Sequence, residues 1–331
     1  MSLQIIDTSI NHNYQYDITD QCYNITWKTS IMSQPSSLSF SMVRDPHVYL
    51  ETGDIIELKI DGKGVFKGKI FVRSKDKEYH WSVTAYDGTR YLKNEDTLLF
   101  NASTASQRFE TICQTQGLPF KVLDRSSYNC TPVIEDAHTY YSMLDDAITE
   151  TRQHGGGRFA YWDNYGTMEF FRLDRQVKGI VIGDESLMTN YRFQSSIENH
   201  ANAVKVLREN KDKGQREIYQ VSDDKNIRRY GKLQAVKKIS DAELNASQLQ
   251  DQAKALLKEK NYLEKTLTVN AVGETSLRAG NSFLLMIYDL WGEALHSNSL
   301  SLIKSCTHDL SKGTMTLEVE VSEWVANGWQ K

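Results

Sequence analysis

The chain has 331 residues, room for two or three domains that each bury a core. Its 39 basic and 43 acidic residues leave a net charge of -4 with no basic stripe, which excludes duplex nucleic acid as an electrostatic partner. Four prolines and 19 glycines exclude collagen-like and Pro-rich disordered chains, and no run approaches the ~18–20 apolar residues of a membrane-spanning helix.

Residues 1–10 show no basic segment followed by an apolar run, so no secretion signal is expected. Cys22, Cys113, Cys130 and Cys306 form no C-x-x-C pair and have no histidine at zinc spacing. They read as small buried thiols of a reducing compartment.

The first hundred residues carry a β pattern. Leu38, Phe40 and Met42 alternate with serines, the period of a half-buried strand. Pro46 and Gly53-Asp54 punctuate; strands are expected over 55–60 and 65–72 around the hairpin signal Asp61-Gly62. Another follows over 78–86, where Tyr79, Trp81, Val83 and Ala85 alternate, closed by Asp87-Gly88. Short strands with turns at this spacing predict a small barrel or sandwich.

The middle changes period. Thr104 with Gln107 makes a capping box, and Phe109, Ile112, Cys113 and Gln116 share one helical face that Gly117 and Pro119 terminate. A second helix is expected from Tyr140 to His154, stopped by Gly155-Gly156-Gly157. Strands 158–163 and 166–173 then form a hairpin around Asn164-Tyr165-Gly166.

The last third returns to β, with strands expected over 203–207, 217–221, 265–272, 282–288, 299–305 and 314–321. Between them lies a helix of about 240–260, opened by Ser240 and Glu243 and striped by Ala242, Ala246, Leu249, Ala253 and Leu256. Leu50-x-x-Gly53-Asp54-x-x-x-Leu58-x-Ile60 recurs as Leu277-x-x-Gly280-Asn281-x-x-x-Leu285-x-Ile287. Gly supplies positive φ and Asp or Asn bonds the local backbone, so each copy is a turn that feeds a strand. A duplicated β domain follows from the echo, and three copies of such a chain would supply six equivalent positions to a ring.

The residues offer little chemistry. None of the eight histidines pairs with another at i, i+4, and neither HExxH nor GxSxG occurs. Glu198 with His200 is a weak pattern for a metal or acid–base site. Asp145 and Asp146 diverge by about 100° on a helix, so they read as a solvated face rather than a catalytic pair. Asp223-Asp224 reads as a turn; Arg228-Arg229 and Lys237-Lys238 read as solvent-facing clusters. Trp27, Trp81 and Trp162 are expected in the core. Trp324 and Trp329, near the C-terminal end with Trp291, are the candidate interface residues. No catalytic, cofactor or metal-binding residue is assigned, and the chain is expected not to be an enzyme.

Residues 35–43 (PSSLSFSMV), 50–58 (LETGDIIEL), 65–70 (VFKGKI) and 84–92 (TAYDGTRYL), with Lys93-Asn94 following, resemble the N-terminal domain of contractile-tail baseplate hub proteins. The resemblance is to the PBSX-like XkdQ/YqbQ family and, more distantly, to late control protein D and the hub part of VgrG spikes. It runs through the middle module to the turn at 277–281 and is carried by many weak positions.

That resemblance implies an α+β, mainly β fold: a tube-like β-barrel over 1–98, an α+β module over 99–190, and a second barrel over 191–331 with one inserted helix. It implies a homotrimer forming a pseudo-six-fold ring that joins the tail tube to the central spike. Other baseplate proteins and the tape-measure protein are further partners, with no specific nucleic-acid binding, no membrane span and no cofactor. The place would be the baseplate of a phage, prophage or phage-tail-like bacteriocin, assembled in the host cytoplasm. The alternative is a cell-wall-binding or peptidoglycan-degrading tail-associated protein, which needs a converging acid–base cluster that the sequence does not display. A carbohydrate-binding adhesin is a third reading and predicts secretion.

Overall fold

The computed structural model describes residues 2–12, 14–31, 33–45, 47–78, 80–210, 215–239, 245–291 and 300–321. Pro46, Tyr79, the Ser240/Glu243 capping box with Ala242, His296, Trp324 and Trp329 lie outside the described residues. The chain divides into two compact units. The larger is Met1–Arg192 with Leu267–Lys331, and the smaller is Phe193–Thr266.

The first half of the larger unit contains β1 (Leu3–Ser9), β2 (Tyr14–Asp17), β3 (Cys22–Ser30), β4 (Ser37–Val43), β5 (Ile55–Ile60), β6 (Lys63–Lys75) and β7 (His80–Tyr86). β4 alternates as its serines dictate, with Leu38, Phe40 and Met42 buried. Asp61 and Gly62 both hold positive φ, +48° and +76°, the requirement of a two-residue hairpin whose twist matches its strands. The half closes over one core that includes Leu50, Ile56, Leu58, Phe66, Trp27 and Trp81.

The middle of the unit holds β8 (Glu95–Phe100), β9 (Ser103–Thr104), α1 (Ala105–Thr115), β10 (Phe120–Val122), β11 (Asn129–Cys130), β12 (Val133–Thr139), α2 (Tyr140–Gln153), β13 (Phe159–Asn164) and β14 (Thr167–Arg172). The expected capping box opens α1: Gln107 N donates to Thr104 Oγ1 (3.3 Å) and Thr104 N to Gln107 Oε1 (2.9 Å). Gly117 ends it at φ +63°. Thr139 caps α2 through Ser142 N at 3.2 Å. The helices bury Phe109, Ile112, Met143, Leu144 and Ala147 against Phe159 and Phe170 of the β13–β14 hairpin, a core separate from that of β1–β7. The hairpin tip docks on the first half, where Tyr165 Oη donates to Glu57 Oε2 (2.6 Å).

The second half of the unit adds β15 (Val177–Gly183), β16 (Met188–Ser196), whose end crosses into the smaller unit, and four later strands. The smaller unit contains β17 (Ala203–Asn210), β18 (Gln215–Ser222), α3 (Asp224–Tyr230), β19 (Gln234–Ile239) and α4 (Ala246–Lys260). Its sheet runs β18-β17-β19, and Leu249 and Ala253 of α4 pack on Val204 and Val206. The apolar stripe is thus core packing. Among the described residues the cap of α4 is Asn245 with Gln248.

The later strands are β20 (Glu264–Val272), β21 (Ser282–Met286), β22 (Leu300–Asp309) and β23 (Thr314–Glu320). Together with the first half they make one thirteen-stranded sheet, so the architecture is mainly β with α+β content, as expected. The expected strand 282–288 stops at Met286, because Tyr288 N turns to donate to Asp184 Oδ2 (2.8 Å).

The halves repeat one topology. In the first, β1, β3, β4, β5, β6 and β7 lie in sheet order β3-β4-β7-β6-β5-β1. In the second, β15, β16, β20, β21, β22 and β23 lie in sheet order β16-β20-β23-β22-β21-β15. One departure is sense: β1 meets β5 antiparallel, whereas β15 meets β21 parallel.

The echoed turns match bond for bond. Gly53 and Gly280 hold φ +98° and +92°. Glu51 N donates to the Asp54 carboxylate (2.7 Å), as Arg278 N does to Asn281 Oδ1 (3.0 Å). Gly53 N donates to Ile70 O (2.8 Å) and Ile70 N to Asp54 O (2.9 Å). Gly280 N donates to Ile303 O and Ile303 N to Asn281 O, both at 2.9 Å. One residue beyond each isoleucine the strand bulges, between Ile70 and Val72 against β7 and between Ile303 and Ser305 against β23.

Candidate assembly interface

The halves are joined by strand pairing. β22 runs antiparallel to β3 through five pairs, from Ser305↔Ser30 to Asp309↔Thr26. Three bonds extend the ladder: Ile31 N to Lys304 O (3.0 Å), Leu310 N to Ile25 O (2.9 Å) and Ile25 N to Ser311 Oγ (2.8 Å). The seam is dry at its centre, where Trp27, Thr29, Cys306 and His308 are all buried.

The His308 ring stacks on Trp27 with centroids 5.1 Å apart, and Nε2 lies 2.8 Å from Leu277 O. A carbonyl only accepts, so the proton sits on Nε2 and the buried Nδ1 is left without a partner. Burial holds its pKa below the ordinary histidine value, so the ring is neutral.

Beside the seam lies a polar junction of three segments. Asp163 on β13 accepts from Gly88 N (2.9 Å), after β7, and from Gly166 N (2.5 Å). Arg278, from the second echoed turn, donates to Asp163 O (2.9 Å), and its guanidinium lies 4.5 Å from the Trp162 ring centre. Buried Asp87 accepts from Thr89 N (3.1 Å). Burial raises the pKa of both Asp87 and Asp163, and the Arg278 charge opposes that rise. Such a junction holds first half, middle module and second half in one arrangement.

The sequence-derived candidates fall as follows. Trp27 and Trp81 are core, while Trp162 is half-buried under Arg278 and Trp291 is exposed, edge-on to Tyr288 at 4.7 Å. His200 Nδ1 lies 2.9 Å from Tyr262 O, and among the described residues no cluster of three metal-ligating side chains occurs. Asp223 is a helix cap rather than a free turn carboxylate, accepting from Lys225 N and Asn226 N (2.9 and 3.0 Å).

Asp145 corrects the expectation of a solvated pair. Asp146 is exposed, but Asp145 is half-buried and accepts from Ser33 Oγ and from Tyr161 Oη (3.3 Å), because the α2 face that carries it turns toward the core hairpin. Its pKa is raised by burial. The sequence reading missed Arg278, Asp87 and His308. Arg278 lies inside the echoed segment, at a position where the echo itself is silent.

Several strand edges, those of β2 and β15 among them, have no strand neighbour among the described residues, and two of them bear on the seam. One is the outer edge of β6 past Ile70, where residues 71–75 pair only with β7. The other is β16, which ends the sheet beyond β20. Residues 71–75 are all exposed, as are Thr189, Asn190 and Arg192.

The comparisons agree with this architecture. The YqbQ-like family model matches residues 25–322. "Uncharacterized protein YqbQ" of Bacillus subtilis is 26% identical over 297 residues, 87% of this chain and 88% of that protein. "Phage-like element PBSX protein XkdQ" of the same organism is 28% identical over 233 residues, 69% of this chain and 70% of that protein. Among solved structures, the prophage MuSo2 43 kDa tail protein of Shewanella oneidensis has TM-score 0.66 at 14% identity, covering 96% of this chain and 98% of that one. A tail protein of Neisseria meningitidis has TM-score 0.61 at 16% identity, covering 96% of each. A PdpA–VgrG complex chain has TM-score 0.55 at 9% identity, covering 97% of this chain and 65% of that one. These likenesses are of fold, whereas the family match spans most of the sequence: the chain belongs to the YqbQ-like family.

Proposed function

We propose that the chain is the structural baseplate hub of a contractile tail. Three copies form a ring of six quasi-equivalent sheet halves, which joins a six-fold tube to a three-fold spike. The observation that carries this reading is the internal duplication: two halves with the same strand order, the same turn bonds and the same bulge, already joined edge to edge within one chain. In this reading 1–98 and 191–331 are the tube-like domains and 99–190 is the module between them, with Phe193–Thr266 an excursion of the second.

The names of the relatives support a tail protein, and the PdpA–VgrG likeness supports a spike partner. The role is mechanical. Tube protein, spike and other baseplate proteins are the partners, and the tail-like particle is the location.

Light scattering on a size-exclusion column, across a concentration series, tests the reading. A mass of three chains with ring-shaped particles by negative stain is expected. A closed dimer or tetramer would overturn it. Peptidoglycan clearing at catalytic protein levels would replace it with the wall-degrading alternative.

A further inference from the structure

Strand β6 and strand β22 are counterparts, fixed by Ile70 and Ile303, which make the same two bonds to the same turn and precede the same bulge. Counting on from these anchors, Arg73 corresponds to Cys306 and Lys75 to His308. Yet Cys306 and His308 are buried, while Arg73 and Lys75 are exposed. The difference goes with pairing: β3 covers the outer edge of β22, whereas among the described residues no strand pairs with that edge of β6.

The covering strand also has a counterpart. β3 is to β4 what β16 is to β20 in the sheet order. Residues 266–272 of β20 repeat the burial alternation of Ser37–Val43, so Leu267 corresponds to Leu38 and Val272 to Val43. Val272 N donates to Leu187 O (2.9 Å) and Thr189 Oγ1 to Asn270 O (3.1 Å), which sets β16 along β20. By that count Arg192 lies opposite Leu267. Leu38 pairs with Trp27, and Trp27 with His308, so Arg192 and Lys75 are the corresponding pair.

We infer that β6 of one copy pairs antiparallel with β16 of the next, with Lys75 beside Arg192, repeating between chains the seam that β22 and β3 make within one. This rests on the hub reading and deepens it by naming the edges. The occupant is a second copy because the chain already holds both partners of the seam, one on each half. The joint is head-to-tail, so it propagates until it closes. The edge is also defended against wrong partners, since Arg73 and Lys75 lie on the open stretch of β6 and Lys77 follows it.

Asp76 N donates to His80 O (3.1 Å), so the N–H groups of Lys75 and Arg73 point to the open edge. Lys75→Pro therefore removes an outward donor and spares the β6–β7 ladder. It is expected to leave the circular dichroism spectrum and unfolding midpoint of the monomer unchanged and to raise the trimer dissociation constant at least tenfold.

A second arm mixes Lys75→Cys with Arg192→Cys and adds a short bis-maleimide. Cys113, Cys130 and Cys306 are buried, and burial pushes the Cys22 thiol up to about 12, so the native thiols react slowly. The mixture is expected to give a cross-linked dimer that neither variant gives alone. A trimer that Lys75→Pro leaves intact, or that shows no such link, overturns the pairing and leaves the hub reading standing. A chain that neither associates nor cross-links overturns the pairing too. A link within an assembly of another size supports the pairing and overturns the three-copy ring.

Discussion

Asp7 shows how single side chains constrain this fold. It is buried on β1, neither carboxylate oxygen has a hydrogen-bond partner, and burial together with the nearby Asp54 charge pushes its pKa up to about 7. A folded-state value above the ordinary 3.8 means that Asp7 favours the fold most below pH 4 and that this contribution is lost as pH rises through 7. Asp7→Asn should therefore stabilise the protein at pH 8 by about 1–3 kcal/mol and flatten the pH 4–7 part of the stability profile, read by urea melts. His308 works in the opposite direction. Its depressed pKa costs stability as pH falls below the ordinary 6.5, so the two contributions separate only in the single variants. Arg278→Met leaves Asp87 and Asp163 buried without their cation. The expected loss is about 3–5 kcal/mol, with a lower unfolding midpoint as the check.

At the scale of elements the two echoed turns give a paired comparison. A methyl group on Gly53 meets open space, whereas on Gly280 it comes within 3.2 Å of Trp162 and Phe171. Both glycines hold a φ that strains any other residue, so Gly53→Ala should cost about 1 kcal/mol and Gly280→Ala about 1–3 kcal/mol more, by thermal melts. These turns were legible from sequence because Gly and Asp or Asn do one local job there. The capping box of α1 and the hairpins at Asp61-Gly62 and Tyr165-Gly166 were legible for the same reason. β1, β3, β15 and β16 were not. Each has a partner far along the chain, β5 for β1, β22 for β3, β21 for β15 and β20 for β16, and stretches such as 188–196 show no clean alternation. β6 extends to Lys75 because its final residues pair with β7, although nothing in their side chains marks a strand.

At the scale of the whole molecule, an assembled ring predicts a melting temperature that rises with protein concentration, since association acts on the folded state alone; Lys75→Pro should remove that dependence. The seam between halves escaped the sequence reading. Strand pairing is written in backbone geometry: His308 and Trp27 gain their roles only once residues about 280 positions apart meet, and Arg278 only once it reaches Asp163, 115 positions away. If the proposed three-copy ring forms, the intramolecular seam also changes the order of its assembly reaction. Six separate halves would need five successive encounters and would surrender the freedom of six bodies. With every second joint already within a chain, two encounters suffice, and three bodies are immobilised at ~4–15 kcal/mol for each association. At equilibrium the amount of ring then follows the third power of free chain rather than the sixth. Under that proposal a low copy number in one cell would still yield complete rings instead of arcs.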